Sequence, residues 1–390
     1  MPDDDASAVR ARRWLLSAAL VLLLVILGLS VMALAVAPLV NPTVDPSVEP
    51  GASTAAAPEG TPEAPDRARS APQERPPAPD PSPEAPDPSP EAPAVVEDAD
   101  ALVPESGALL GLYTKPRTAT YGERAQRRRW RSLEEAAGRT LDIGHSFYPF
   151  TEPFPSWREE WHLDRGRIPM ISWNGTFTEA INDGVHDRLI ADRADAVRAI
   201  GRPVFLRWFW EMDGDKKADI AGDPAAYVAA WKRIHDIFTE RGAVNAAWVW
   251  CPNATAFDVD AAEQWYPGDA YVDWVCADGY NWPPGRPAAQ WETLAEIFAA
   301  FHDWGTARGK PMMIAETGVQ ERDRGEKAEW LADVPRQLRD DLPGVRAFVY
   351  FDSDTIHPWW LDSTPRSLDA FRGLAQDPHL NRRSEGDPGG

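Results

Sequence analysis

The 390 residues are more than one ordinary domain needs, and their charge is strongly acidic. Forty Lys and Arg residues against 61 Asp and Glu residues give a net charge of −21, and about half of that excess falls on residues 38–104. A nucleic-acid-binding protein needs a basic face, so this balance argues against a nucleic-acid partner.

The first predicted element is a membrane segment. Residues 10–13 contain three arginines and precede an apolar stretch over residues 14–37, long enough to cross about 30 Å of hydrocarbon as a helix. Basic residues before such a stretch favour a cytoplasmic N-terminus, so residues 1–13 are predicted to be cytoplasmic and the folded part extracytoplasmic. The alternative is a cleaved signal peptide with a cleavage pattern at Ala33-Leu34-Ala35, which predicts secretion.

Residues 38–104 are predicted to be a disordered linker rich in proline, alanine and acidic residues. They contain no Phe, Tyr or Trp, and the unit Pro-Asp-Pro-Ser-Pro-Glu-Ala occurs at 79–85 and again at 86–92. Such a segment lacks the apolar surface to offset chain ordering, and its prolines keep it extended. We expect a stiff tether, or an O-glycosylated stalk with the same mechanical role. Residues 377–390 are predicted to be a disordered tail.

Between residues 105 and 376, apolar runs of strand length alternate with amphipathic segments of helical period. The runs lie at 108–113, 140–147, 168–173, 203–210, 245–250, 272–277, 311–315 and 345–351. Eight strands alternating with helices predict an α/β protein with a (β/α)8 TIM barrel. A doubly wound open sheet is the alternative, but its Gly-rich loop is missing after the first strand, where Leu112-Tyr113-Thr114-Lys115-Pro116 stands.

Two glutamates close strands of this predicted barrel. Glu211 follows the fourth strand and Glu316 ends the seventh, and catalytic groups in such barrels come from the C-terminal ends of strands. Cleavage of a glycosidic bond needs one carboxylic acid as proton donor and a second carboxylate as nucleophile or base. Because side chains alternate along a strand, we expect Arg207 and Glu211 to face the same side. Arg207 and Tyr280 are then predicted to keep Glu316 ionised as the nucleophile, with Glu211 as the acid.

Other polar and aromatic side chains at the predicted strand ends complete a candidate carbohydrate cleft. Asp278 is expected to orient its neighbours, and Asn253 lies on the same rim. His145 is either a core histidine or a donor to sugar. Indole rings stack on pyranose faces, so the tryptophans near strand ends are predicted to line the cleft, whereas those within strands are predicted to pack. The cleft set is Trp173, Trp282, Trp359 and Trp360, and the packing set is Trp208, Trp248 and Trp274.

The two cysteines, Cys251 and Cys276, fall near the ends of predicted adjacent strands. An extracytoplasmic location permits a disulfide, but bridging geometry at such positions is often poor, so we favour two buried thiols. No His or Cys cluster has the spacing of metal ligands, and we expect neither a metal nor another cofactor.

Several motifs resemble glycoside hydrolase family 26, whose best-known members are β-mannanases. Residues 207–214 resemble its Arg-x-x-His-Glu-Met-Asn-Gly motif, and residues 311–318 resemble its nucleophile strand. Residues 266–280 resemble its sixth-strand region. The resemblance implies a (β/α)8 barrel and a retaining double displacement, with Glu211 as acid/base and Glu316 as nucleophile. It also implies that Tyr280 contacts the nucleophile.

The chain departs from this motif at two positions. Trp210 replaces the usual His before the acid/base, and Asp213 replaces the usual Asn after it. The resemblance therefore implies an extracytoplasmic β-glycanase, with β-1,4-mannan as the leading candidate substrate. Mixed-linkage β-glucan and β-xylan stay open, as does a barrel that binds polysaccharide without cleaving it.

Overall fold

We describe residues 102–117, 122–286, 288–322 and 325–381 from a computed structural model. The predicted anchor at residues 14–37 and most of the predicted linker lie outside these ranges, as do residues 382–390 of the predicted tail. Within the described ranges, none of the helices combines the length and the apolar character that a membrane crossing requires.

Eight parallel strands form a closed barrel in which each strand pairs with its neighbours in sequence and β8 returns to pair with β1. The strands are β1 (Leu109–Thr114), β2 (Ile143–Tyr148), β3 (Ile168–Trp173), β4 (Val204–Trp208), β5 (Ala246–Trp250), β6 (Trp274–Asp278), β7 (Met312–Thr317) and β8 (Val345–Asp352). The predicted α/β barrel is confirmed, and each strand overlaps its predicted run.

Helices follow the strands and surround the barrel. The helices are α1 (Glu123–Ala137), α2 (Trp157–Asp164), α3 (Thr178–Asn182), α4 (Asp187–Ile200), α5 (Ala218–Ala221), α6 (Pro224–Glu240), α7 (Ala254–Asp258), α8 (Leu294–Arg308), α9 (Glu326–Asp340) and α10 (Pro365–Gln376). Helix α6 shows why these segments are helical. The Asp223 side chain caps its first turn by accepting from the Ala226 N–H, and Pro224 occupies the position where no N–H partner is needed. Its buried face follows the predicted helical period.

Apolar side chains form two buried layers. Mostly aliphatic and sulfur-containing strand residues, with Phe205 and Trp274, fill the barrel interior, whereas many more aromatic residues lie in the layer between strands and helices. The three tryptophans predicted to pack are buried: Trp208 and Trp248 lie against Trp231 of α6, and Trp274 lies in the interior layer. At the C-terminal mouth of the barrel, buried charged side chains of Arg207, Asp278 and Glu316 follow this apolar interior.

Two boundaries differ from those predicted. Strand β4 ends at Trp208 rather than at residue 210, because Phe209 and Glu211 have φ angles of 44° and 51°, which no strand accepts. The folded part also extends past residue 376, since Leu380 is fully buried and the carbonyl of His379 accepts a hydrogen bond from the Ala108 N–H.

Candidate active site

Arg207 on β4 organises the centre of the barrel mouth. Its side chain is fully buried, and its Nη1 atom donates to both carboxylate oxygens of Asp278 at 2.9 and 2.8 Å. Its Nη2 atom donates to Oε1 of Glu316. One buried guanidinium thus joins carboxylates from β6 and β7, as charge-assisted hydrogen bonds of an arginine fork allow.

Glu316 lies on β7 and is 5% exposed. The hydrogen bond expected from Tyr280 is present, with the phenol donating to Oε2 at 2.7 Å. The register of β7 shifts between Ile314 and Thr317, so Glu316 faces the mouth although the preceding Ala315 packs in the barrel interior. A bulge of this kind re-aims a side chain at a strand end. Each carboxylate oxygen of Glu316 therefore has its own donor.

Glu211 lies in the loop after β4 and has a different environment. Its backbone N–H donates to the Cys251 carbonyl at 2.7 Å, and its Oε2 lies 3.5 Å from Nζ of Lys217. Burial raises the pKa of Glu211, and the charge of Glu316 raises it further, while Lys217 and Arg207 oppose both effects. A carboxyl with a raised pKa beside a carboxylate that accepts two hydrogen bonds forms the kind of pair that an acid and a nucleophile require.

His145 is part of the support beneath this pair. The hydroxyl of Ser172 accepts from Nε of Arg207 at 2.7 Å and lies 2.6 Å from Nε2 of His145. Because Nη2 of Arg207 also faces Nε2 and can only donate, we assign the imidazole proton to Nδ1. Burial lowers the pKa of His145 well below its usual value, and the Arg207 charge adds to this effect. With 2% exposure, His145 is a neutral core partner of the arginine rather than a donor at the surface of the cleft.

Asn253 ties the loop after β5 to the loop that carries Glu211. Its backbone N–H donates to Oδ1 of Asp213 at 3.0 Å, and its side-chain amide donates to Oδ2 at 3.1 Å. Both oxygens of Asp213 are therefore used by one residue. The substitution of Asp for the Asn of the related motif gives Asn253 a carboxylate partner.

Two predicted tryptophans lie near Tyr280. The half-buried ring of Trp282 is 5.2 Å from the Tyr280 ring, and the Arg286 guanidinium lies 3.2 Å from the centre of the indole. The ring of Trp359 is 4.9 Å from Tyr280 but only 1% exposed. Trp282 can therefore contact a ligand, whereas Trp359 supports Tyr280 from behind.

The prediction that Trp173, Trp359 and Trp360 line the cleft is wrong, because all three are buried. Ser172 faces the barrel interior, so the next side chain on β3 faces the helices. Trp173 is fully buried there, where its Nε1 donates to the Phe150 carbonyl at 2.9 Å. Trp360 is 5% exposed and packs under the guanidinium groups of Arg117 and Arg129.

The favoured prediction of two buried thiols is also wrong, because Cys251 and Cys276 form a disulfide. Strands β5 and β6 pair with Val249 opposite Trp274, and the same register places Cys251 opposite Cys276. Their Cα atoms are 4.6 Å apart, within the range that a disulfide spans. The sulfur of Cys251 also lies 3.4 Å from Oδ1 of Asp278, so the bridge is next to the charged centre.

Sequence reasoning missed Lys217, Ser172 and Phe147 as parts of the site. The ring of Trp210 lies 4.8 Å from Cζ of Arg207, 4.3 Å from Nζ of Lys217 and 5.2 Å from the Phe147 ring. Phe147 could be found from strand alternation, since it shares a face of β2 with His145. Ser172 could not, because the predicted site residue on β3 was Trp173, which faces the other side. Lys217 lies in a polar loop without periodicity, and nothing in the pattern points to it.

Comparisons with known proteins identify relatives of this chain. A family model described as glycosyl hydrolase family 26 matches residues 178–329. Endoglucanase H of Acetivibrio thermocellus is 32% identical over 257 residues, which cover 62% of this chain and 28% of the relative. Mannan endo-1,4-beta-mannosidase A and B of Caldalkalibacillus mannanilyticus is 30% identical over 146 residues, which cover 35% of this chain and 26% of the relative. The chain thus spans about a quarter of the length of these two relatives.

A solved structure shows the same fold. The GH26 β-mannanase from Bacteroides ovatus matches 71% of this chain and 90% of its own, with a TM-score of 0.52 and 15% sequence identity. At that identity the likeness concerns the barrel architecture alone.

Proposed function

We propose that the chain is a member of glycosyl hydrolase family 26, whose model matches residues 178–329, and that it hydrolyses a β-linked polysaccharide by a retaining double displacement. The observation that carries this proposal is the pair of unlike carboxyls at the barrel mouth. Glu316 accepts from Arg207 and Tyr280, whereas Glu211 has a raised pKa.

In the first step, an ionised Glu316 attacks the anomeric carbon while Glu211 gives its proton to the leaving oxygen. Arg207 and Tyr280 occupy the carboxylate oxygens of Glu316 and orient it for attack. In the second step, a water molecule attacks the glycosyl–enzyme, and the ionised Glu211 accepts a proton from that water. Glu316 leaves as a carboxylate, so the site returns to its starting charge.

For the substrate, we propose β-1,4-mannan first and β-glucan second. The similarity to a mannan endo-1,4-beta-mannosidase supports the first, and the similarity to an endoglucanase over more of the chain supports the second. Trp210 bears on this choice, because an indole beside Arg207 presents an apolar face where the related motif has a histidine donor. The half-buried Trp282, next to Tyr280, offers a ring for stacking on a sugar.

We further propose that the folded part works outside the cytoplasm, tethered through residues 14–37 and the proline-rich segment after them. The disulfide supports an oxidising compartment, since such bonds are rare in the cytosol. Release of the folded part from intact cells by an added protease is expected for a tether. Recovery in the medium without protease would indicate the secreted alternative, and recovery only after lysis would contradict both.

The test of the activity is the release of reducing ends from a panel of mannan, mixed-linkage glucan, cellulose and xylans. The wild-type protein should release product from at least one β-linked member, and Glu316→Ala should release none. Equal product from both proteins would overturn the assignment. Retention on a glycan column without any product would instead support a barrel that binds polysaccharide without cleaving it.

A further inference from the structure

Lys217 makes three contacts around the candidate acid/base. Its Nζ atom lies 3.5 Å from Oε2 of Glu211 and 4.3 Å from the centre of the Trp210 ring, and it donates to the Trp210 carbonyl. Its side chain is 21% exposed, so solvent screens these interactions only in part. The neighbouring Lys216 is exposed. Of the two adjacent lysines, one belongs to the site and one does not.

The distribution of charge leaves Lys217 as the cation that Glu211 uses. Arg207 is fully buried and its donors are occupied by Asp278, Glu316 and Ser172. Within the part of the chain that the structure describes, the contact with Lys217 is the one ion pair that Glu211 makes. The partner of the Glu211 carboxyl is therefore a compact ammonium group, in contrast to the planar guanidinium fork that holds Glu316.

Trp210 fixes the position of this cation. Its ring has Arg207 and Lys217 within cation–π distance, and Phe147 packs against it. The carbonyl of the same residue accepts from Lys217. Ring and carbonyl together hold the ammonium beside Glu211, where an isolated flexible lysine would lose its orientation.

We propose that Lys217, held by the ring and carbonyl of Trp210, is a positioning residue for the acid/base Glu211. Its ammonium group orients the Glu211 carboxyl and favours loss of the proton from that carboxyl. The inference rests on the proposed function and adds a residue to its machinery. It also gives Trp210 a role, since the indole that stands where the related motif has histidine contacts the Lys217 ammonium through its ring.

The sign of the effect follows from the groups that face Glu211. Glu316 from β7 and Asp213 from the same loop favour the protonated form, and burial acts in the same direction more strongly. Arg207 from β4 and Lys217 favour the ionised form. Without the Lys217 charge, Arg207 alone opposes the groups and the burial that raise the pKa of Glu211. Glu211 should therefore lose its proton at a higher pH. The basic limb of the pH–rate profile, where the acid/base loses its proton, should move upwards.

The experiment compares Lys217→Met, which removes the charge and keeps the length, with Lys217→Arg, which keeps a cation. Lys216→Met is the matched control. On an active polysaccharide, the basic limb of the kcat/KM profile of Lys217→Met should move to higher pH by about half a pH unit to one pH unit. This is the scale expected for a partly exposed ion pair. The basic limb should stay near the wild-type position in the other two proteins. An identical limb in Lys217→Met and Lys216→Met would overturn the inference.

A second readout needs no turnover. Carbon-13 NMR of glutamate carboxyls, with the Glu211 signal assigned by its loss in Glu211→Gln, follows the same protonation directly. The Glu211 titration should move upwards in Lys217→Met, and an unchanged titration would overturn the inference even in an active enzyme. If the wild type cleaves no glycan, the proposed function fails while this titration still decides the role of Lys217. Lys217→Gln, checked for a native thermal transition, replaces Lys217→Met if that variant does not fold.

Discussion

The two carboxyl groups of the site are held in opposite ways. Glu316 lies on a strand, is 5% exposed, and has a separate donor for each oxygen. Glu211 lies on a loop, its side chain is 29% exposed, and its ion pair with Lys217 is 3.5 Å long. A nucleophile has to stay charged and aligned, whereas an acid/base has to give and take a proton. The difference between the two environments fits the separate roles proposed for the two glutamates.

Backbone strain follows the same division. Phe209 and Glu211 have φ angles of 44° and 51°, a conformation that costs of order 1–3 kcal/mol for each non-glycine residue. The Phe209 N–H bonds to the Trp173 carbonyl, and its ring packs against Trp208 and Tyr227. The surrounding packing thus holds a strained loop at Glu211, whereas Glu316 stays within strand β7, whose register shift re-aims its side chain.

The largest expected effect is that of Glu316→Ala. Loss of the nucleophile should lower kcat by at least about 10⁴-fold, whatever leaving group the substrate carries, because bond formation to the enzyme is lost. Rates on the active polysaccharide and on an aryl glycoside with a good leaving group provide the measurement. Activity within tenfold of wild type on either substrate would show that Glu316 is not the nucleophile.

Glu211→Ala should instead discriminate between substrates. Cleavage of polysaccharide should fall by about 10²–10⁴-fold, the usual contribution of a general acid. Glycosylation of the enzyme by an aryl glycoside with a good leaving group should be much less affected, because that group departs without a proton. Added azide should restore turnover and give a β-glycosyl azide. Equal losses of activity on both substrates would contradict the assignment of Glu211 as the acid/base.

Tyr280→Phe tests the donors on the nucleophile side. Removal of one hydrogen bond to a charged group should lower kcat by about 10- to 100-fold, equivalent to roughly 1.5–3 kcal/mol. The matched control is Tyr266→Phe, which removes an exposed hydrogen bond to Asp269. We expect wild-type kinetics from the control. Similar kcat values for the two variants would show that the 2.7 Å contact with Glu316 has no catalytic role.

The disulfide links β5 and β6 next to Asp278, one of the carboxylates that Arg207 binds. Replacement of Cys251 and Cys276 together by serine should lower the free energy of unfolding by about 2–4 kcal/mol, the typical contribution of a disulfide. Urea unfolding of the wild type and the double variant measures this change. Unchanged stability would mean that packing of the two strands does not depend on the bridge.

The smallest expected effect is a pH dependence of stability on the acid/base side. Since the pKa of Glu211 is raised in the folded state, its protonation stabilises the fold at low pH, and this contribution is lost as the pH rises through the raised pKa. Glu211→Gln should therefore match wild type in acid and become the more stable protein at higher pH. Urea unfolding at both ends of this range is the measurement. A wild-type advantage at high pH would contradict the sign.

Strand periodicity and chemistry at strand ends were sufficient to predict the barrel and the contact between Tyr280 and Glu316. They failed where the chain leaves regular geometry. The alternation expected from Arg207 through Glu211 ends at Trp208, and no propensity signals a positive φ at two non-glycine residues. Strand alternation explains why the Trp173 side chain points towards the helices, but only once Ser172 is known to point into the barrel.

The disulfide and the contact of Lys217 with Glu211 could not be predicted from the sequence for other reasons. The pairing of Cys251 with Cys276 depends on the register of β5 and β6, which the sequence of either strand does not specify. Lys217 reaches Glu211 through a loop whose course depends on tertiary contacts, such as the bonds from Asn253 to Asp213. The difference between the two glutamates is therefore visible in structure more than in sequence.

The measurement that tests this difference most directly is trapping of the glycosyl–enzyme. An activated 2-deoxy-2-fluoro glycoside of the cleaved sugar is incubated with the protein, and the labelled peptide is located by mass spectrometry. We predict one adduct per chain, on the peptide that contains Glu316, with Glu211 unmodified. An adduct on Glu211, or turnover with inverted product configuration and no adduct, would contradict the division of roles.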